Sequence, residues 1–219
     1  MMNNDEKVNY EIKGLFPVPI IVIKFEQHEK YSNLPIMTKK DVRPKSWTVP
    51  LNTSYPNILE NDDFISMKKV KELKSDISNT ITSVFKEINI STDYWIKNFW
   101  YNIYHNHQGQ EAHNHLGTLI PYWCGIYYNK KASTTVFCKE SGVHVVHKVP
   151  DWENSSQLIP FFTPIGGFSV AEGDILLFPP YLNHYVPMQE GIDSDDKMRV
   201  TFSFNLAHSK KIGENNELC

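Results

Sequence analysis

The sequence predicts a mostly β protein, an all-β barrel or double-sheet jelly roll with one long helix packed outside it. Three observations carry that expectation. A single strongly amphipathic helix stands in the first half of the chain. About eight short apolar segments at regular spacing follow it, the pattern of a sandwich or barrel. Aromatic residues make up 13% of the chain (12 Phe, 11 Tyr, 5 Trp), and aromatic side chains favour pleated surfaces. At 219 residues the chain can bury one sizeable core, so one domain over 1–219 is expected.

The elements follow in order. Residues 1–10 are polar and read as a frayed, disordered tail, as do 208–219. Ile20 to Phe25 reads as a buried strand introduced by Pro17 and Pro19, since proline belongs at strand starts. Glu26 to Tyr55 is loop-rich, punctuated by Pro35, Pro44 and Pro50, with a short strand at Trp47–Val49. From Asp63 to Ile88, the residues Phe64, Met67, Val70, Leu73, Ile77, Ile81, Val84, Phe85 and Ile88 recur at three- and four-residue spacing. That is one buried stripe on a helix, and Lys68, Lys69, Lys71 and Lys74 between them read as its solvated face. Strands are then expected at Trp95–Tyr104, Ile120–Tyr128, Thr134–Cys138, Val143–His147, Phe161–Phe168, Asp174–Phe178 and Met198–Ala207.

Chemistry concentrates at Gln110–Gly117. His113 and His115 follow a glycine-marked turn, and in an extended strand residues two apart share a face. Their Cβ atoms would lie roughly 6–7 Å apart, so both rings could reach one ion. His184, far downstream beside a proline-stiffened turn at Pro179–Pro180, is the third member. Neutral imidazole suits Fe, Zn, Cu and Ni, and a close pair plus one distant ligand leaves a side of the metal open. The last strand, Arg199 to Asn205, alternates polar and apolar strictly, so Arg199, Thr201, Ser203 and Asn205 share one face. An arginine facing a barrel interior is costly unless it meets an anion, and its planar fork suits a carboxylate. His105 and His107 form a second pair read as exposed turn residues. His144 and His147 face opposite ways in their strand, and Cys124 and Cys138 read as buried apolar fillers.

These residues resemble a known family. The order strand, turn, HxH, strand, then G-D-I-L-L-F-P-x-x-L-x-H and R-V-T-F-S-F-N, is similar to the 2-oxoglutarate and Fe(II)-dependent oxygenases. More narrowly, it resembles the 2OG-Fe(II) oxygenase group of marine bacteria and phages. The resemblance covers residues 95–207 as an oxygenase β-core, and Gly14–Pro19 is similar to that group's start. It implies a double-stranded β-helix (jelly-roll, cupin-like) fold, Fe(II) on an HxD/E…H triad and 2-oxoglutarate as cosubstrate. Carried over residue by residue, His113 and His184 match metal ligands, Arg199 the grip on the cosubstrate's far carboxylate, and Thr201 its hydroxyl partner. Asn102 and Tyr104, on the strand leading into the site, are implied cosubstrate contacts. His115 departs from the pattern, standing where the carboxylate of HxD is expected and giving a three-histidine centre. The separation of His184 from Arg199 is longer than usual in the superfamily, which a polar insertion at Gly191–Lys197 accounts for.

The expected function is therefore an oxygenase hydroxylating a small-molecule or peptide substrate. Two rivals use the same residues differently. One is a cupin-like three-histidine metalloenzyme without 2-oxoglutarate; the other is a non-catalytic β-sandwich binding module whose histidines only satisfy hydrogen bonds. Net charge of −3 and pI near 6.3 give no electrostatic case for nucleic acid. No apolar run approaches the length of a membrane span, and the N-terminus lacks a signal-peptide core. Three cysteines without a CxxC point to a reduced, cytoplasmic setting, and a homodimer is compatible with these readings.

Overall fold

The computed structural model describes residues 18–34, 47–49, 51–55, 67–90, 92–116, 122–130, 135–138, 165–167, 170–191 and 198–209. The predicted strand at 143–147 with its histidines, the helix start before residue 67, the insertion at 192–197 and residues 1–10 and 210–219 lie outside them.

Among the described residues, two helices and ten strands appear in chain order: β1 Ile21–Lys24, α1 His28–Tyr31, β2 Asn52–Thr53, α2 Met67–Glu87, β3 Tyr94–Tyr104, β4 Gln110–His113, β5 Trp123–Lys130, β6 Val136–Cys138, β7 Ile165–Gly167, β8 Asp174–Phe178, β9 Asn183–Val186 and β10 Arg199–His208. They form two antiparallel sheets, a large one ordered β1-β8-β5-β10-β3-β2 and a small one ordered β4-β9-β6-β7. This is the double-sheet jelly roll with an external helix that the sequence predicts.

The middle of the large sheet, where β8, β5, β10 and the second half of β3 meet, is buried on both faces, which explains the near-continuous apolar runs there. On its outer face Phe99, Tyr101, Ile103, Val200, Phe202 and Phe204 pack with Val70, Leu73, Ile77, Ile81 and Phe85 of α2 in one core. Lys68, Lys69 and Lys71 are exposed and Lys74 is half-buried, as a solvated helix face requires. A second core of Cys124, Ile126, Tyr128, Phe137, Leu176 and Phe178 joins residues of both sheets. The alternation of β10 is thus inverted from the ordinary surface strand: its apolar residues meet the helix, and its polar residues point between the sheets.

Four details differ from expectation. The strand near residue 50 is Asn52–Thr53, paired to β3, and Trp47–Val49 is not a strand. The short helix α1 lies in a passage read as loop; its Tyr31 is buried and ties to Asp76 of α2. The segment after the Pro179–Pro180 turn, for which no strand is expected, forms β9, and His184 lies on it. β10 runs through His208, and Ser209 donates its backbone N–H to Asp93 O at 3.0 Å, so no C-terminal tail starts before residue 210. Among the described residues no helix is long and apolar enough to cross a membrane.

Candidate metal centre

The site is built where the small sheet faces β10. β4 and β9 are antiparallel, and His113 stands directly opposite His184 in their register. One extra residue of β4 enters between the Gln110–Val186 and His113–His184 pairs, a bulge. Bulges re-aim side chains beside active sites. Here the bulge brings both Gln110 and His113, three residues apart, to the wall of one cavity.

His115 arrives by another route than the one expected. β4 ends at His113, so strand alternation does not carry the pair. His115 sits in the following loop, where its backbone N–H donates to Pro180 O at 2.9 Å. Its ring lies nearly parallel to that of Trp100, 27° apart with centroids at 6.3 Å. The result is still convergence. Ring centroids are 4.3 Å apart for His113–His184, 5.4 Å for His113–His115 and 5.3 Å for His115–His184. One ring nitrogen from each lies within 4.8 Å of the others.

The hydrogen bonds decide which nitrogen each ring offers. His113 Nδ1 donates to Glu111 O at 2.8 Å, and His184 Nδ1 donates to Leu182 O at 2.9 Å, because a carbonyl can only accept. His115 Nδ1 lies 3.0 Å from Asn205 Oδ1. In all three the proton belongs on Nδ1 and the lone pair on Nε2, the arrangement by which metal-binding histidines are oriented. Burial disfavours the imidazolium, so each ring is neutral at pH 7. His115 is pushed down to about 4 by burial with help from His113, and His184 lies well below its ordinary value for the same reasons. His113 is lowered by burial against a smaller opposing pull from Glu111. The donor set therefore fits a divalent cation of the imidazole-binding kind, and it carries no negative charge.

The same cavity holds the arginine. Trp100, Tyr104, Gln110, the three histidines, Arg199, Thr201 and Ser203 are among its lining residues. Arg199 is 0% exposed, and among the described residues its Nε and Nη1 have no hydrogen-bond partner. Its guanidinium lies over the rings of Tyr104 and Tyr128, at 4.9 and 5.6 Å from their centroids, which holds it by cation–π attraction. Burial pulls its pKa down, yet guanidinium remains protonated at any physiological pH. Tyr104 is raised to about 12 by burial, so its phenol stays neutral and donates to Gln110 Oε1 at 3.1 Å.

Asn102 is not brought to the cavity wall. Its amide donates to Ser203 Oγ at 3.1 Å and accepts from Thr53 Oγ1 at 2.8 Å, so it braces β10 against β2 and β3. His105 and His107 stay in the turn as expected; His105 approaches Asn52, and His107 takes a positive φ of 59°. Sequence reading missed Gln110 and Trp100 as cavity residues. The bulge that admits Gln110 leaves no local signature, and nothing in the aromatic run Trp95–Tyr104 singles out Trp100.

Residues 98–205 match the family described as "Putative 2OG-Fe(II) oxygenase". No curated protein matches the sequence. Among solved structures, HygX from Streptomyces hygroscopicus with nickel and 2-oxoglutarate bound is similar at TM-score 0.54 and 14% identity, over 88% of this chain and 84% of that one. The non-heme alpha ketoglutarate dependent epimerase SnoN from nogalamycin biosynthesis is similar at TM-score 0.54 and 10% identity, over 87% of this chain and 79% of that one. An oxidoreductase of the 2OG-Fe(II) oxygenase family from Burkholderia pseudomallei gives TM-score 0.45 and 12% identity over 64% of this chain. This chain spans 55% of that protein's length. At such identities the likeness is one of fold.

Proposed function

We propose that the chain, whose residues 98–205 match the 2OG-Fe(II) oxygenase family, is an Fe(II)- and 2-oxoglutarate-dependent oxygenase hydroxylating a small-molecule or peptide substrate. Fe(II) and 2-oxoglutarate bound together supply the activation of O₂, with one oxygen atom passing to the substrate as the cosubstrate becomes succinate and CO₂.

The chain's own residues have separable tasks. His113, His115 and His184 hold the metal through Nε2, and being neutral they have no proton to shed first. Arg199 takes the cosubstrate's far carboxylate, with the Thr201 hydroxyl on the same face of β10 as its second donor. Tyr104 and Tyr128 keep the guanidinium in place, and their rings withhold water from the ion pair. Asn102 acts behind the wall by bracing β10.

The observation that carries this reading is the pairing in one cavity of three tautomer-fixed histidines with a buried guanidinium that meets no carboxylate among the described residues. A cupin-like centre without 2-oxoglutarate would need the histidines and leave Arg199 unexplained. A metal-free binding module would explain neither. Anaerobic titration with Fe(II) and then 2-oxoglutarate tests the reading. A weak visible charge-transfer band is expected for the wild type and is expected to vanish in Arg199→Ala. Absence of the band in the wild type, or tight zinc binding indifferent to 2-oxoglutarate, sinks the proposal.

A further inference from the structure

The three histidines are not held alike. His113 and His184 each donate Nδ1–H to the backbone carbonyl two residues earlier, Glu111 O at 2.8 Å and Leu182 O at 2.9 Å. Those locks belong to the adjoining backbone, and no side-chain change removes them. His115 has no such support. It stands past the end of β4, and its Nδ1 meets a side chain 90 residues away, Asn205 Oδ1 at 3.0 Å, on the other sheet.

An asparagine amide offers one acceptor and one donor, and the choice matters. With its oxygen toward Nδ1, His115 carries its proton there and leaves Nε2 with a lone pair. With the amide turned, the NH₂ would donate to Nδ1 and the proton would move to Nε2, which could then bind no cation. Asn205 sits where the β10–β3 ladder slips register, between Asn205 and Leu206, a local irregularity of the kind that re-aims side chains next to sites. The Trp100 ring lies alongside that of His115, and Pro180 O takes its backbone N–H. Neither contact selects a tautomer. Only Asn205 does.

We infer that Asn205 is a positioning residue that makes a histidine usable at position 115, where the superfamily's usual ligand is a carboxylate. A carboxylate needs no tautomer; a histidine there does, and this chain supplies the selection from the far end of β10. The inference rests on reading the three histidines as metal ligands.

Two variants test it. Asn205→Leu removes the acceptor at nearly constant volume, and Asn205→Asp keeps an acceptor oxygen at the same reach. In the metal-free protein, ¹⁵N-resolved NMR of the histidine rings should show His115 as the Nδ1–H tautomer in the wild type and in Asn205→Asp. In Asn205→Leu it should show a tautomer mixture. Calorimetric titration with Co(II) should lose roughly 10–100-fold in affinity for Asn205→Leu, the usual effect of removing a partner behind a metal ligand, with Asn205→Asp restoring binding. A wild-type His115 protonated on Nε2 overturns the inference. So does an Asn205→Leu protein with an unchanged tautomer and unchanged Co(II) affinity. If the wild type fails to bind Co(II), the metal reading falls, while the tautomer measurement still judges Asn205.

Discussion

Arg199 is a cation buried without a negative neighbour among the described residues, a costly arrangement in the absence of ligand. An apolar side chain of similar size carries none of the desolvation penalty of an unpaired buried charge. Arg199→Met should therefore melt at or above the wild-type temperature without ligand, while losing the upward shift that 2-oxoglutarate gives the wild type. Differential scanning calorimetry with and without cosubstrate measures both. Gly125 is the opposite case, a residue whose task is to be small. A Cβ there would lie 2.1 Å from the Phe204 ring, in the core between the large sheet and α2. Gly125→Ala should cost about 1–3 kcal/mol in urea unfolding, the usual penalty of overpacking. The inward face of Arg199 and Thr201 was legible because strict alternation fixes a strand's faces. The support of His115 was not, because it depends on a loop path after β4 and on a partner 90 residues away.

At the scale of elements, long-period patterns were readable and short ones were not. The stripe of α2 runs for several turns and names its own buried residues, so Leu73→Ala should cost about 2–5 kcal/mol. By contrast α1 has four residues, too few for a period to show, and it is held by tertiary contacts. Tyr31 donates its hydroxyl to Asp76 Oδ2 at 2.5 Å, and Lys30 reaches the same oxygen at 3.0 Å. The Tyr31 bond, chiefly, lowers the pKa of Asp76 below its ordinary 3.8. A carboxylate with a depressed folded pKa contributes stability in full above its unfolded value and loses it as pH falls through the folded one. Asp76→Asn should thus cost about 1 kcal/mol at pH 7, and the gap to wild type should narrow below pH 3.8. Urea midpoints of both proteins across that range check the sign.

For the molecule as a whole, the candidate centre spans both sheets. His113 and His184 come from β4 and β9 of the small sheet, and the residues behind and beside them, Asn205 and Arg199, from β10 of the large one. Ligands that bind only the folded chain raise its stability by mass action, about 2.7 kcal/mol at a hundredfold excess over Kd. Metal and 2-oxoglutarate together should raise the melting temperature more than either alone, and chelation should reverse it. The fold class was readable from composition and spacing because those set how much β surface must be covered. Sheet order was not, since β3, β5 and β10 meet across long stretches of chain that no local pattern encodes.

The position of β10 has a consequence for synthesis. It lies in the middle of the large sheet, between β5 and β3, although it is the last described strand in the chain. On the ribosome, β3 and β5 must wait with unfilled edges until residues 199–208 emerge. A nascent chain already carrying all three histidines therefore lacks the strand bearing the arginine and the asparagine behind His115. A chain ending before residue 199 lacks both, so the candidate centre is complete only once this late strand has closed the sheet.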